Sequence, residues 1–282
     1  MSSFPSFGPD ARTRQITVGD VSMRVVDQGT GPDIIFVPGG DSPAEGNLHL
    51  INKLSDSFHC ITYDPRGIPG TEAPDGPWTM ADFAADCAAL IDAVCDGPAV
   101  VSGLSMGGLI TQQVAIDFPD KVRLAIPMGT SAYIDGFTRD WMEAEIRIRQ
   151  DGVELPDYFL AVHYAVYAYP AKALHDPELW SQIKEAYTAR FGGRKAQDTI
   201  DQWQACLDFD CRPGLPDCPV PFHVISFSED VQTAPSMCKV VSDLAKDGTF
   251  YEIPGLGHVS LLRHRPKVVA DQIREILTAT LG

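Results

Sequence analysis

The chain has 282 residues, of which 44% are hydrophobic and 21% charged, and this suits one large domain or a core with an insertion. Its formal net charge of −16 repels nucleic acids and anionic membranes, so we expect neither as a partner. The N-terminus lacks the charge and apolar pattern of a signal peptide, and no run of about 18 apolar residues occurs. A cytoplasmic protein without a membrane span is therefore predicted.

The seven cysteines are an odd number without the regular spacing of a disulfide framework, which indicates reduced thiols. Cys206, Cys211 and Cys218 are separated by four and six residues, and this spacing does not indicate a zinc site. We therefore expect no metal and no organic cofactor.

The N-terminal half of the chain alternates strand-like and helix-like segments. A hairpin is predicted first, with strands at 14–18 and 22–27 separated by Gly19 and Asp20. Further strands are predicted at 34–37, 60–64, 98–102 and 123–128, and helices at 47–54, 80–94 and 106–118. This alternation predicts a mostly parallel sheet with helices on both faces.

Residues 132–212 interrupt that alternation. They contain helix-like segments at 137–150, 157–167, 177–190 and 197–207, many aromatic residues and no convincing strand. The sheet pattern resumes with strands at 222–226 and 249–253 and helices at 234–246 and 267–281. The prediction is an α/β fold with a mostly parallel sheet of about eight strands, a core at 1–131 and 213–282, and a helical lid at 132–212.

The motif Gly-x-Ser-x-Gly occurs once at a predicted strand–helix junction, from Gly103 to Gly107, with Ser105 at its centre. A strand, a strained turn carrying a serine and a helix form the nucleophile elbow of many hydrolases. Glycines are needed where side chains would clash as the backbone doubles back. The helix N-terminus below the serine favours negative charge. Ser105 is therefore the predicted nucleophile.

A serine nucleophile needs a base to take its proton and an acid to orient that base. His258 is the predicted base, because it follows the last predicted strand in a glycine-rich loop. Asp230 is the predicted acid, because it follows the strand at 222–226 and lies between the serine and the histidine in sequence. Its neighbour Glu229 is the alternative acid.

Two backbone amides are expected to bind the oxyanion that forms when serine attacks a carbonyl group. One is that of Met106, the residue after the nucleophile. The other is that of Gly40, in the loop Pro38-Gly39-Gly40-Asp41 directly after the strand at 34–37. An ordinary turn glycine without a catalytic part is the alternative for Gly40.

The order of Ser105, Asp230 and His258 resembles the α/β-hydrolase fold superfamily. The segments 38–40, 64–67 and 253–258 also resemble its lidded subgroup of small esterases, lactonases and carbon–carbon bond hydrolases. Pro38 stands where that subgroup usually has a histidine. The resemblance implies acyl transfer through a covalent acyl-enzyme, with no cofactor.

The substrate is the least determined part of this prediction. Aromatic residues in the lid favour a small apolar or aromatic molecule, and Trp141, Tyr164, Tyr167 and Val259 are the predicted contacts. Aromatic residues at helical spacing also pack in cores, which is the structural alternative for the three aromatic ones. Ester or lactone hydrolysis is the leading hypothesis; cleavage of a carbon–carbon bond in a vinylogous diketone and non-catalytic ligand binding are the alternatives. The chain is compatible with a homodimer.

Overall fold

The computed structural model describes residues 6–190 and 195–281, and its centre is one eight-stranded sheet. The strands are β1 (Arg12–Val18), β2 (Val21–Gln28), β3 (Asp33–Val37), β4 (His59–Tyr63), β5 (Ala99–Leu104), β6 (Val122–Met128), β7 (Phe222–Phe227) and β8 (Gly248–Ile253). Their order in the sheet is β1-β2-β4-β3-β5-β6-β7-β8. Only the pairs β1–β2 and β2–β4 are antiparallel among these strands, so the predicted mostly parallel sheet is confirmed.

Helices cover both faces of the sheet. They are α1 (Leu48–Leu54), α2 (Met80–Val94), α3 (Met106–Asp117), α4 (Gly136–Gln150), α5 (Asp157–Ala168), α6 (Ala171–Leu174), α7 (Pro177–Arg190), α8 (Ala196–Leu207), α9 (Pro235–Leu244) and α10 (Pro266–Leu281). Two large apolar clusters lie on opposite faces of the sheet, which is why β5 is buried along its whole length. None of the described helices is long and apolar enough to cross a membrane.

Three differences between the structure and the sequence prediction have identifiable reasons. Strand β1 begins at Arg12, two residues early, because Arg12 and Arg14 both form ion pairs with the buried Asp27 of β2. Those exposed charged residues give no apolar signal in the sequence. Strand β5 continues to Leu104, so Ser105 follows the sheet without an intervening loop. Helix α6 was not predicted, because it is a single turn that begins after Pro170.

The helical insertion, defined here as α4 to α8, lies between β6 and β7 and has two parts. Helices α4 and α8 pack against each other, whereas α5, α6 and α7 pack among themselves around a separate apolar cluster. The four predicted helices are present within a residue or two of their predicted bounds. Residues 191–194 of the predicted lid lie outside the described residues, and the division of the chain at 131/132 and 212/213 stays a prediction.

Strands β3 and β5 are neighbours, and the strand that follows each in sequence is added on the opposite side: β4 lies beside β3 and β6 lies beside β5. Chain segments leaving the carboxyl ends of two such strands diverge, and the crevice between them is where open α/β sheets bind ligands. Here those segments begin with Pro38 and with Ser105. The topology therefore brings together two of the loops to which the sequence assigned chemistry.

Close backbone packing between β5 and α3 requires the glycines of the elbow. A Cβ atom at Gly103 would overlap the carbonyl group of Gly107, and one at Gly107 would overlap the carbonyl oxygen of Val37 and lie 2.7 Å from that of Pro38. A Cβ at Gly108 would lie 2.7 Å from Cβ of Thr130. The carbonyl groups of Val37, Pro38 and Gly107 belong to the backbone and cannot move aside as a flexible side chain would, so no larger residue fits at Gly103 or Gly107.

We expect Gly107→Ala to lower the free energy of unfolding by about 1–3 kcal/mol or more, because the added methyl group forces β3 and α3 apart. Urea unfolding measures this loss. Gly97→Ala is the matched control: nothing lies within 4 Å of a Cβ there, so we expect a change below about 0.5 kcal/mol. Equal stability of the two variants would contradict the packing argument.

Candidate active site

Ser105 occupies the strained turn between β5 and α3. Its φ is 58° and its ψ −123°, in a region that residues with side chains rarely adopt. The turn is held on both sides: the Ser105 amide donates to the carbonyl oxygen of Met128 at 3.0 Å, and its carbonyl oxygen accepts from the amide of Gly108 at 2.8 Å. Strain of this kind persists only where the surroundings over-determine it, and it is common at functional sites.

Asp230 and His258 form a buried, hydrogen-bonded pair. Nδ1 of His258 lies 2.7 Å from Oδ2 of Asp230, and the two residues are 3% and 4% exposed. The other oxygen of Asp230 accepts from the amides of Gln232 and Thr233 at 2.8 and 2.9 Å, and the Thr233 hydroxyl donates to Oδ2 at 2.9 Å. The carboxylate is therefore held in one orientation before any ligand binds.

Glu229, the alternative acid, has a different environment. Its amide donates to the carbonyl oxygen of Leu256, and its side chain is exposed. A Cβ at Gly255 would lie 3.9 Å from its Oε1, so its carboxylate lies beside Gly255 in the loop after β8. The structure therefore brings Asp230, and not Glu229, to His258.

Gly40 and Met106 are brought together at the ends of β3 and β5. A Cβ at Gly40 would lie 3.7 Å from the Cβ of Met106, and a Cβ at Gly39 would lie 3.7 Å from that of Ser105. The next amide in the loop, that of Asp41, donates to Oε1 of Gln202 in α8 at 2.9 Å. Because Gly40 lies beside Met106, the residue after the nucleophile, it stays the candidate oxyanion donor of this loop.

A cavity of about 500 Å³ lies between the carboxyl edge of the sheet and the helical insertion. Ser105 and His258 both line it, as do Gly40 and Met106. Asp230 and His258 are joined by a hydrogen bond. Ser105 and His258 are related by lining the same cavity. The arrangement places a hydroxyl group, an imidazole and two loop backbones around one space that admits a small molecule.

Three of the four predicted substrate contacts line this cavity: Trp141, Tyr164 and Val259. Among the described residues, Tyr167 is not part of the lining. Its ring packs against that of Trp141 with centroids 5.6 Å apart, so it supports the wall from behind. For Tyr167 the alternative given above, that an aromatic residue at helical spacing packs in a core, describes the structure better, because this ring lies against Trp141.

One wall of the cavity carries the buried Glu145 with the half-buried Arg149 and Tyr164, and His163 joins this polar cluster from outside the lining. Oε2 of Glu145 accepts from Arg149 at 2.7 Å and from the hydroxyl of Tyr164 at 2.6 Å, and Oε1 lies 3.1 Å from Nε2 of His163. Burial and the Glu145 carboxylate raise the pKa of Tyr164 well above its usual value, so its hydroxyl stays a donor. The Arg149–Glu145 pair adds no net charge to the wall.

Among the lining residues that sequence reasoning missed are Thr233, Asp41 and Cys206. Thr233 follows Asp230 by three positions, a spacing at which a side chain commonly caps a turn. Asp41 directly follows the Gly40 loop, but its positive φ of 54° has no sequence signal. Cys206 is a second potential nucleophile, but burial, with a smaller contribution from Asp41, raises its pKa from 9.0 to about 12, so it is a neutral thiol at physiological pH.

No group of three or more histidine, cysteine, aspartate or glutamate side chains in the described ranges is arranged to hold a metal ion.

The chain belongs to the alpha/beta hydrolase family, whose model matches residues 34–272. A Mycobacterium tuberculosis protein with the provisional name non-heme bromoperoxidase BpoC is 30% identical over 257 residues, which cover 88% of this chain and 95% of that protein. The 3-oxoadipate enol-lactonase 2 of Acinetobacter baylyi is 28% identical over 220 residues, 77% of this chain and 79% of that protein. The resemblance inferred from the motifs is thus confirmed.

Solved structures agree with this assignment. The structure of Rv0554 from Mycobacterium tuberculosis has a TM-score of 0.85 with 26% identity, and covers 92% of this chain and 94% of its own. The enol-lactonase from Burkholderia xenovorans has a TM-score of 0.82 over 94% of this chain and all of its own, and at 21% identity it supports the fold alone. The chain is a member of a family whose named relatives include hydrolases.

We expect Cys206 to resist alkylation by iodoacetamide at pH 8 in the native protein. With a pKa of about 12, its thiolate fraction at that pH is about 10⁻⁴, and thiolate rises only as the pH approaches 12. Peptide mass spectrometry after labelling measures this, with the urea-unfolded protein as the fully reactive control. Rapid modification of Cys206 in the folded protein, with loss of activity, would contradict the assignment of a neutral thiol.

Proposed function

We propose that the protein is a serine hydrolase that cleaves a carboxylic ester or lactone of a small, apolar or aromatic substrate. The observation that carries this proposal is that a strained elbow serine and a histidine, whose Nδ1 lies 2.7 Å from a buried aspartate, line the same cavity. Membership of the alpha/beta hydrolase family supports the same reaction class.

Acylation begins when Oγ of Ser105 attacks the carbonyl carbon of the substrate. His258 takes the serine proton on Nε2, because Asp230 accepts from Nδ1 and so fixes the tautomer in which Nε2 is the basic nitrogen. The carbonyl oxygen becomes an oxyanion, which the amides of Gly40 and Met106 stabilise by about 3 kcal/mol per donor. Collapse of this intermediate breaks the ester bond, and the leaving oxygen takes the proton from His258.

Deacylation repeats these steps with water. His258 removes a proton from a water molecule as its oxygen attacks the acyl carbon, and the oxyanion forms again at the same two amides. When the second intermediate collapses, Ser105 leaves with the proton held by His258 and the carboxylic acid is released. No step requires a cofactor, and each proton moves through one nitrogen atom.

The substrate class follows from the cavity wall. Apolar side chains such as Leu160, Trp203 and Val259 supply much of the lining, and the Arg149–Glu145 ion pair is neutral as a unit. A volume of about 500 Å³ suits an acyl group with one ring or a short chain. The relative named 3-oxoadipate enol-lactonase 2 supports lactones as substrates beside open esters.

Wild-type protein is expected to hydrolyse short p-nitrophenyl esters or small lactones, and Ser105→Ala to lose at least about 10³-fold in kcat/KM because the nucleophile is gone. Release of p-nitrophenol measures ester hydrolysis, and pH-stat titration measures lactone opening.

Ser57, which is exposed, provides a matched control: Ser57→Ala should keep wild-type rates. If wild type and Ser105→Ala are equally inert on every chain length and every lactone, the hydrolase proposal is wrong. Tight ligand binding without turnover would instead favour the non-catalytic alternative, and faster cleavage of a vinylogous diketone would favour carbon–carbon bond hydrolysis.

Asp230→Asn is expected to lower kcat by about 10⁴-fold with little change in KM, because an amide at this position favours the tautomer of His258 that is protonated on Nε2. Glu229→Gln removes the neighbouring carboxylate, which is exposed, and should stay within about twofold of wild type. Steady-state kinetics on one ester compares the two variants. The reverse ranking would assign the acid to Glu229.

A further inference from the structure

Two non-glycine residues in the described part of the chain have a positive φ, and both line the cavity. One is Ser105, whose strain belongs to the elbow. The other is Asp41, with φ of 54°, which directly follows Gly40. Aspartate tolerates this backbone region better than most residues, yet the conformation persists only where contacts over-determine it. The contacts on Asp41 therefore indicate what the loop is held for.

One face of α8 supplies three contacts to Asp41. Gln202 Oε1 accepts from its amide at 2.9 Å, Thr199 Oγ1 donates to Oδ1 at 2.9 Å, and Trp203 Nε1 lies 3.4 Å from Oδ2. The spacing of 199, 202 and 203 places these side chains on a single helix face. Both the backbone and the side chain of Asp41 are thus fixed by the same helix.

Helix α8 is itself anchored to the core at this point. Gln202 is 1% exposed and also donates to the carbonyl oxygen of Arg66, in the loop after β4. The guanidinium of Arg66 forms a buried two-pronged ion pair with Asp86 of α2, at 2.6 and 2.9 Å. The helix that holds Asp41 is therefore a fixed element and not a free flap.

Gly40 has no side chain with which to hold its own amide, and glycine has the widest conformational freedom of any residue. On its N-terminal side the loop is held by the buried strand β3. On its C-terminal side Gly40 is followed by Asp41, whose amide and carboxylate are hydrogen-bonded to side chains of α8. The contacts of α8 with Asp41 therefore help to set the direction of the Gly40 amide.

We propose that Asp41 is a positioning residue through which α8 orients the Gly40 amide toward the oxyanion. This inference rests on the proposed serine hydrolase function and adds a role for the helical insertion: besides enclosing the substrate, it completes the site that stabilises the transition state. Asp41 acts through Gly40 and takes no part in the bond changes itself.

The test follows the rate at which a fluorophosphonate modifies Ser105, a reaction that needs no knowledge of the natural substrate. Oγ of Ser105 forms a bond to phosphorus, fluoride leaves, and His258 takes the serine proton, while the phosphonyl oxygen occupies the oxyanion position. Asp41→Ala should slow labelling by about 10- to 100-fold, which is less than complete loss of one donor. Asp41→Asn keeps an acceptor oxygen and should stay within about threefold of wild type.

Gln204→Ala is the matched control on the same helix, because Gln204 is exposed and bonds only to Asp208 among the described contacts; it should label at the wild-type rate. Thermal midpoints of all variants report folding. On an ester that wild type turns over, Asp41→Ala should lower kcat by the same factor as labelling and leave KM within about twofold, because ground-state binding does not use the oxyanion donor.

The outcomes separate the two proposals. If wild type is not modified at Ser105, the serine hydrolase function is overturned, and the role of Asp41 with it. If Ser105 is modified equally fast in wild type and in folded Asp41→Ala, the role of Asp41 alone is overturned. Equal slowing in Asp41→Ala and Asp41→Asn, with lowered midpoints and raised KM, would mean a general structural role and would also overturn the inference.

Discussion

The close approach of backbone to backbone around Gly103 and Gly107 is the constraint on which the rest of the site depends. Strand β5 ends one residue before Ser105 and α3 begins one residue after it, so the chain turns within a single strained residue. That turn is feasible only because no side chain intervenes between the two glycines or against the carbonyl oxygen of Val37. The same contact seats β3 beside β5 and so brings the Gly40 loop next to Met106.

The helical insertion contacts the loops that carry Gly40, Asp230 and His258. Helix α8 binds Asp41, next to Gly40. Thr138 at the start of α4 donates to the carbonyl oxygen of Gln232, two residues after Asp230. The last carbonyl groups of α5, which have no partner within the helix, accept from Gln232 and from the amide of Val259, next to His258. The geometry of the site is therefore shared between the core and the insertion.

The core and the Asp230–His258 pair could be read from the sequence because their signals are local. Buried parallel strands are continuous apolar runs, and the elbow glycines sit at fixed offsets from Ser105. The exposed start of β1 has no such signal, since it depends on an ion pair with Asp27, 15 residues away from Arg12. The contact between Thr199 and Asp41 spans 158 residues, and only the folded chain brings these two residues together. Tyr167 was mistaken for a lining residue for a related reason: periodicity does not tell which side of α5 faces Trp141.

The two parts of the insertion contact the core in different ways. Helices α4 and α8 join the core through hydrogen bonds to Gln232 and Asp41, whereas α5 to α7 surround their own apolar cluster, which meets the core at Val259. Between them, the segment after α4 lines the cavity with Val153, and this residue is 50% exposed, so the cavity wall reaches the surface there. The cavity wall thus includes a segment separate from the contacts that α4, α5 and α8 make with the loops of Gly40, Asp230 and His258.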